Sequence, residues 1–584
     1  MKKRERFKNF IKKTLFGEKL ENALQKKSEI KKFPPIVEPK AHFPAANKTI
    51  ANDKPPLENT PEVLPEVLDK SESNQINSAI KTSPNADNIA AFRDIMQTRF
   101  DENAKATIPS VRLGIDLGTS CSKVVWRKGE ENVFPVCFGK NKLDLADYLM
   151  PSLIAFDGEK IATGFEALAF PQSAISNFKM CLACESKKDG ECGIRKCSLT
   201  IWKPEFFTAE LTGEETKFVN SLFLAKLLAR TKQSIVDELT KNQGFSASVK
   251  PKWTANYAVP DTFIEQSEIA ESFREVFRIA WFLAEIFIKE PHTDNQQTLV
   301  ECYLAAQDLA RESGEILNDE EFGCSPYPEI GAEVASIVMS KTSETGLYAF
   351  VDVGAGTVEA SVFRYFRDGE KDSFSEAKAK RPICAASISR TTGAAQIEIR
   401  ASKESGYPKE GFPASNLKVI KESYTNLSKN EKEEISEKVK CIETASEAVR
   451  TETIQYLKKV FRVAFDEEKD TEGKISKSEW ESWYKLKLIL GGGGANLDIY
   501  RNAATNGFTI AGKEPKKPNF VEILVSPKDF DMNGLPNENF LRFAVAYGLT
   551  YPIDKLPPPD FFKEDERIQK KKARPKKNAD WYEK

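Results

Sequence analysis

The chain has 584 residues, 40% of them hydrophobic and 30% charged, with 86 basic against 87 acidic side chains and a formal net charge of −1. That length predicts three or four folded units at roughly 100–200 residues each. The charge balance excludes a whole-chain basic nucleic-acid binder, so no sequence-specific nucleic-acid partner is expected. Only two histidines are present, His42 and His292, which argues against a His-rich metal site and a Ser–His–Asp triad.

In chain order, residues 1–33 carry twelve Lys/Arg against four Glu, with Phe7, Phe10, Ile11 and Leu15 at helical spacing. This predicts a basic amphipathic helix suited to an anionic membrane surface or a partner's groove. A solvated tail is the alternative. The arm lacks the continuous apolar run of a signal peptide. The densest apolar stretch, 279–288, carries Glu285 and falls short of the roughly 20 residues of a membrane span. Six of the ten cysteines (Cys121, Cys137, Cys302, Cys324, Cys384 and Cys441) are scattered rather than set in a disulfide framework. A soluble, cytoplasmic protein is expected, peripheral at the membrane where the arm binds one.

Residues 34–105 are rich in Pro, Asn, Ser, Glu and Lys and read as a disordered linker, with a short amphipathic helix at 89–100. From 106 to 555 strands and helices alternate, the pattern of an α/β domain. Strands are predicted at 113–117, 123–127, 257–259, 348–353, 359–364 and 487–490, and helical periodicity at 219–239, 265–288 and 429–465. Residues 556–584 read as a charged, flexible tail.

Two segments resemble each other. Leu113-Gly114-Ile115-Asp116-Leu117-Gly118-Thr119-Ser120 and Phe350-Val351-Asp352-Val353-Gly354-Ala355-Gly356-Thr357 each run an apolar strand into an Asp and a Gly/Thr/Ser turn, and an apolar strand follows. Glycine lets a backbone approach closely, so that turn N–H groups point at phosphate oxygens. The Thr119, Ser120 and Thr357 hydroxyls add donors. Asp116 and Asp352 offer the hard oxygens that Mg²⁺ prefers, reached through its retained waters. Two such hairpins face to face would clamp a polyphosphate from both sides. A third segment, 488–494, runs an apolar strand into Gly491-Gly492-Gly493-Gly494 and suits a backbone lying flat beside an adenine ring. An ordinary hairpin with a glycine turn is the bland reading of either one alone.

These three elements, in this order, resemble the phosphate-1, phosphate-2 and adenosine motifs of the actin, sugar-kinase and heat-shock-protein-70 ATPase superfamily. Pro151-Ser152-Leu153-Ile154, Phe178-Lys179, Tyr257-Ala258-Val259-Pro260, Glu329-Ile330-Gly331-Ala332 and Ala544-Val545-Ala546-Tyr547-Gly548 are similar to segments of its DnaK-type chaperone branch. The resemblance implies a bilobal actin-like ATPase fold of two ribonuclease-H-like halves, slow hydrolysis of ATP with Mg²⁺, and a nucleotide-dependent switch acting on an unknown protein partner or client. Residue by residue, it implies that Asp116 and Asp352 organise Mg²⁺ and the attacking water, Lys179 approaches the γ-phosphate, Glu329 joins the metal shell and Thr357 bonds the phosphate. It gives Gly118, Thr119, Ser120, Gly354, Gly356, Gly491, Gly492 and Gly493 to the cofactor. The polar, Pro-rich sequence after 555 lacks the family's peptide-binding β-sandwich, and a helical region at about 281–328 is longer than the family needs. A filament-forming or membrane-recruited actin-like ATPase and a small-molecule kinase of the same fold are the alternatives.

The resemblance does not supply the cluster Cys181-x2-Cys184-x7-Cys192-x4-Cys197, read as an insertion at 179–200. Four thiolates within seventeen residues satisfy a tetrahedral Zn²⁺ site without histidine. An iron–sulfur cluster, or free and redox-active thiols, are the alternatives.

Overall fold

The computed structural model describes residues 109–157, 160–170, 174–176, 178–185, 213–242, 251–260, 267–289, 291, 294–316, 318–339, 344–365, 383–390, 392–405, 421, 436–467, 475–508, 521–524 and 526–556. The chain divides after Ile95, and every described residue belongs to the second unit. The basic arm, the 89–100 helix and the tail after 556 lie outside the described residues, as do both histidines.

The described residues form a mixed α/β structure with several sheets. Strands β1 (Ser110–Asp116) and β2 (Cys121–Lys128) make an antiparallel hairpin with Asp116 opposite Lys123. Strand β3 (Val133–Pro135) pairs antiparallel on the far side of β2, as does the two-residue β4 (Met150–Pro151). Strands β5 (Ile154–Asp157), β6 (Lys160–Thr163) and β7 (Ala174–Ile175) form a small separate sheet. Strand β8 (Lys252–Val259) lies parallel to β1, and β9 (Cys324–Pro328) parallel to β8. The first large sheet therefore runs β3-β2-β1-β8-β9.

The second large sheet repeats that plan. Strands β10 (Gly346–Val353) and β11 (Val358–Tyr365) make an antiparallel hairpin, β12 (Ile383–Arg390) pairs antiparallel beyond β11, and β13 (Lys487–Gly491) and β14 (Val521–Ile523) follow in parallel beside β10. Its order is β12-β11-β10-β13-β14, with the same strand senses as the first. The central strands β1 and β10 are nearly continuous in buried residues, as strands covered on both faces must be.

Helices supply the cover. On the first half, α1 (Phe178–Glu185), α2 (Gly213–Asn242) and α3 (Ser267–Lys289) pack on one another. Helix α3 buries Ile269, Phe273, Val276, Phe277, Ala280, Leu283, Ala284 and Phe287, a stripe at helical spacing. Each fully buried large side chain contributes about 1.5–3 kcal/mol. Helix α4 (Gln296–Ile316) packs on α3, and α5 (Glu329–Val338) runs on directly from β9. The region 281–328, read from sequence as helical throughout, thus breaks after α3 and again after α4, and ends as a strand.

On the second half, α6 (Ala395–Ser405), α7 (Ser436–Glu467), α8 (Lys477–Tyr484) and α9 (Asp498–Gly507) enclose one core with the sheet. Ile442, Ala445, Val449, Val460, Phe461 and Ala464 of α7 line it. Helix α8 starts on a capping box, Ser476 and Glu479 each bonding the other's backbone. Last comes α10 (Ala544–Gly548), wholly buried. A Cβ on Gly114 of β1 would lie 1.8 Å from the Ala546 carbonyl oxygen, and one on Gly548 would lie 1.8 Å from that of Ala332 in α5. Those two glycines let α10 seat between β1 and α5 at backbone-contact range.

Candidate functional site

Both hairpins deliver their turns to one place. A Cβ on Gly356, in the turn between β10 and β11, would lie 2.8 Å from Oγ1 of Thr119, in the turn between β1 and β2. Each turn is braced from behind. Ser152 donates its hydroxyl to the Gly118 carbonyl (2.7 Å) and its N–H to that of Ser120 (2.9 Å). In the second turn Gly354 N donates to Thr357 O (2.9 Å), while Ala394 N and Ala395 N donate to the carbonyls of Gly354 and Ala355 at 2.9 and 3.0 Å. The start of α6 is thereby tied to that turn.

The glycine run completes the floor. Strand β13 ends at Gly491, in register with Asp352. Gly492 follows at φ +76°, and a Cβ there would fall 2.0 Å from Oδ1 of Asp352 and 2.6 Å from the Val353 carbonyl oxygen. Both the backbone conformation and the space require glycine. Gly494 N then donates to Val353 O at 2.7 Å, holding the run against the end of β10.

Where the parallel strands of the two sheets end, a cavity of about 620 Å³ opens. Carboxyl ends of parallel strands are the usual place for a ligand in α/β sheets, and the volume falls within the small-molecule range. All five sequence-predicted catalytic residues, Asp116, Lys179, Glu329, Asp352 and Thr357, line it. So do Gly118, Thr119, Ser120, Gly354, Gly356, Gly492 and Gly493. Gly491 sits in the strand behind, its α-carbon face against the Phe350 ring.

Charge in the cavity is paired across the fold. Lys179, on α1, is 4% exposed and bonds Glu329, the first residue of α5. Lys123 bonds Asp116 at 2.5 Å. Burial alone would lower the Lys123 ammonium, but Asp116 outweighs it and the net direction is up. Burial pushes Glu329 up, against the pull of Lys179.

A second carboxyl pair has no such cation. Glu333 is fully buried one helical turn after Glu329 and shares a side-chain hydrogen bond with Asp352, which requires a proton on one of the two acids; among the described residues no other donor reaches the Glu333 oxygens or Oδ1 of Asp352. Burial, then the neighbouring Asp352, holds Glu333 well above the usual carboxylate range. Asp352 is pushed up to about 7 by burial and then by Glu329, with Asp116 adding to it.

Six lining residues carry charge that the sequence reading did not assign: Lys123, Glu333, Glu398, Lys421, Asp498 and Arg542. Lys123 lies inside the first hairpin segment, and Glu333 is a second acid in an otherwise apolar helix, so both left a linear signal. Lys421, which bonds Glu398 (2.5 Å) and the Ala394 carbonyl (3.1 Å), and Arg542 reach the cavity through tertiary folding and left none.

Cys181 and Cys184 both fall on α1, while Cys192 and Cys197 lie outside the described residues. Among the described residues, no group of three or more His, Cys, Asp or Glu side chains is placed to ligate a metal directly. No protein-family model matches the chain, and no curated protein matches it.

Proposed function

We propose that this chain binds ATP with Mg²⁺ and hydrolyses it slowly, as a bilobal actin-like ATPase nearest the DnaK-type chaperones, with bound nucleotide setting the closure of its two halves and hence its affinity for a protein partner. The observation that carries this reading is the convergence of two Asp-ended hairpins, from two sheets of the same strand plan, on one cavity, close enough that Gly356 has no room for a Cβ beside Thr119.

The carboxylates fit a hard cation. Buried acids packed against one another, one of them held near 7, lower their charge cost by taking on a cation. Asp116, Asp352 and Glu329 would hold Mg²⁺ through its waters. Mg²⁺ when bound would neutralise charge on the terminal phosphates. The remaining work falls to the chain: turn N–H groups and the Thr119, Ser120 and Thr357 hydroxyls donate to phosphate oxygens. Lys123 and Lys179 exchange a carboxylate for phosphate, and Asp352 accepts the proton of the attacking water. A proton acceptor with a pKa near the working pH suits that role.

The four-cysteine zinc site belongs to the same proposal, as does contact of residues 1–33 with an anionic membrane from the cytoplasmic side. Among the described residues no helix is long and apolar enough to cross a membrane.

The test is thermal melting with and without ATP and Mg²⁺, alongside single-turnover hydrolysis, with elemental analysis of the same preparation to read zinc. A ligand that binds only the native state raises Tm by mass action, about 2.7 kcal/mol at a hundredfold excess over Kd. Asp352→Ala should lower turnover by tenfold or more, because it removes both a metal-side carboxylate and the proton acceptor. An unshifted Tm at millimolar ATP, or parental turnover in Asp352→Ala, would overturn the assignment.

A further inference from the structure

Four cations line the cavity: Lys123, Lys179 and Lys421, each bonded to a carboxylate, and Arg542. The last is carried on the segment that leads into α10. Arg542 closes the short helix Asn537–Arg542, two residues before α10. It lines the cavity and is only partly exposed.

Its place is fixed by backbone contacts. Gly492 N donates to the carbonyl oxygen of Leu541 (3.3 Å), which ties the chain just before Arg542 to the glycine run. On the other side, α10 is seated by the Gly114 and Gly548 contacts described above. The guanidinium lies over Gly493: a Cβ on that residue would fall 2.2 Å from Nη1 and 3.2 Å from Cζ of Arg542. Absence of a side chain at Gly493 is therefore what admits the guanidinium to this wall. Its charge also reaches the first hairpin, where it opposes the ammonium of Lys123.

We propose that Arg542 binds the phosphate end of the nucleotide, clamping it from the glycine-run side against the two hairpin turns. This rests on the nucleotide reading of the cavity. The chemistry suits arginine: its planar fork of N–H donors pairs two phosphate oxygens at once and stays charged at any working pH. A guanidinium set on backbone contacts is pre-organised, so little ordering is needed when ligand arrives. In this arrangement the glycine run has two roles. Gly492 makes room for Asp352 and Gly493 makes room for Arg542.

The experiment measures binding of ATP, ADP and AMP to the full chain in the presence of Mg²⁺, for the parent, Arg542→Ala and Arg542→Lys. Removing a phosphate contact should reduce the ATP-over-AMP preference by tenfold or more in Arg542→Ala, with AMP affinity changed by less than about threefold. Arg542→Lys keeps the charge but loses the fork, and should recover part of the preference. Should Arg542→Ala fail to fold, the lysine variant carries the test, since it too should lower the preference. An unchanged ATP-over-AMP ratio in a folded variant overturns the proposal. So does a uniform loss for all three ligands, which would mark Arg542 as a structural support for the glycine run. If the parent binds none of the three, the nucleotide reading itself fails and the role of Arg542 falls with it.

Discussion

Asp116 and Asp352 occupy the same position in two hairpins of the same plan, yet their partners across the hairpin differ in sign. Asp116 faces Lys123, whereas Asp352 faces Glu359. One hairpin is thus neutralised by an ion pair, and the other gathers acids, with Glu329 and Glu333 added from α5. Aspartate titrates near 4 when unfolded, while burial and these neighbours push native Asp352 up to about 7. The native state therefore holds a proton that the unfolded chain has released. Its stabilising contribution is full below pH 4 and is lost as pH rises through 7. Asp352→Asn removes that dependence. Without nucleotide, the variant should gain stability over the parent progressively as pH rises from 4 to 7, by up to a few kcal/mol in all, and little more above that. Melting curves across that range check it; a difference independent of pH would contradict the shared burden of charge.

At this scale the sequence was legible where chemistry recurs in a motif. The two aspartates, the hydroxyls and the glycines stand out because they repeat at matched offsets. Arg542 and Lys421 stand alone in their own segments, and only the packing of distant elements gives them a role.

Among the elements, the strands anticipated from sequence are the interior ones: β1, β2, β8, β10, β11 and β13 all lie within their sheets. In the two large sheets, β3, β9, β12 and β14, the four edges, were missed, and so were the two-residue β4 and the small sheet β5 to β7, whose strands have at most four residues each. An edge strand needs fewer apolar residues and tolerates proline, so its local signal is weak. Strand β9 carries Pro326 and Pro328, β3 ends on Pro135, and β12 is built largely from alanine and serine. The long helices α2, α3 and α7 were legible because a long amphipathic stripe is a local signal, whereas the shorter α1, α6, α8 and α9 were not. The short α10 owes its place to glycine contacts instead. Adding a Cβ at Gly548 would drive it into the Ala332 carbonyl, a backbone atom that cannot swing aside. Gly548→Ala should cost about 1–3 kcal/mol, the usual range for overpacking. It should also weaken ATP binding, since α10 anchors the segment bearing Arg542. Denaturant unfolding and nucleotide binding read the two effects. Parental stability in that variant would show that the contact relaxes at no cost.

For the second unit as a whole, what matters is that one strand plan occurs twice. Each copy offers a hairpin turn at the carboxyl end of its central strand, and the cavity forms where the two meet. Neither half holds the full set of groups: Asp116, Thr119 and Lys179 come with one sheet, Asp352, Thr357 and the glycine run with the other. A nucleotide held between them would join the two halves, which is how binding at one site could alter a surface elsewhere. The central claim is the location of that nucleotide, and photolabelling with 8-azido-ATP followed by peptide mass spectrometry tests it most directly. The expected result is saturable labelling, suppressed by ATP with Mg²⁺, on peptides containing Ala394, Ala395 and Glu398 or Gly492–Gly494 and Asn496–Ile499, which line the cavity beyond the hairpin turns. Labelling that ATP does not suppress, or that falls on peptides remote from the cavity, would contradict the account.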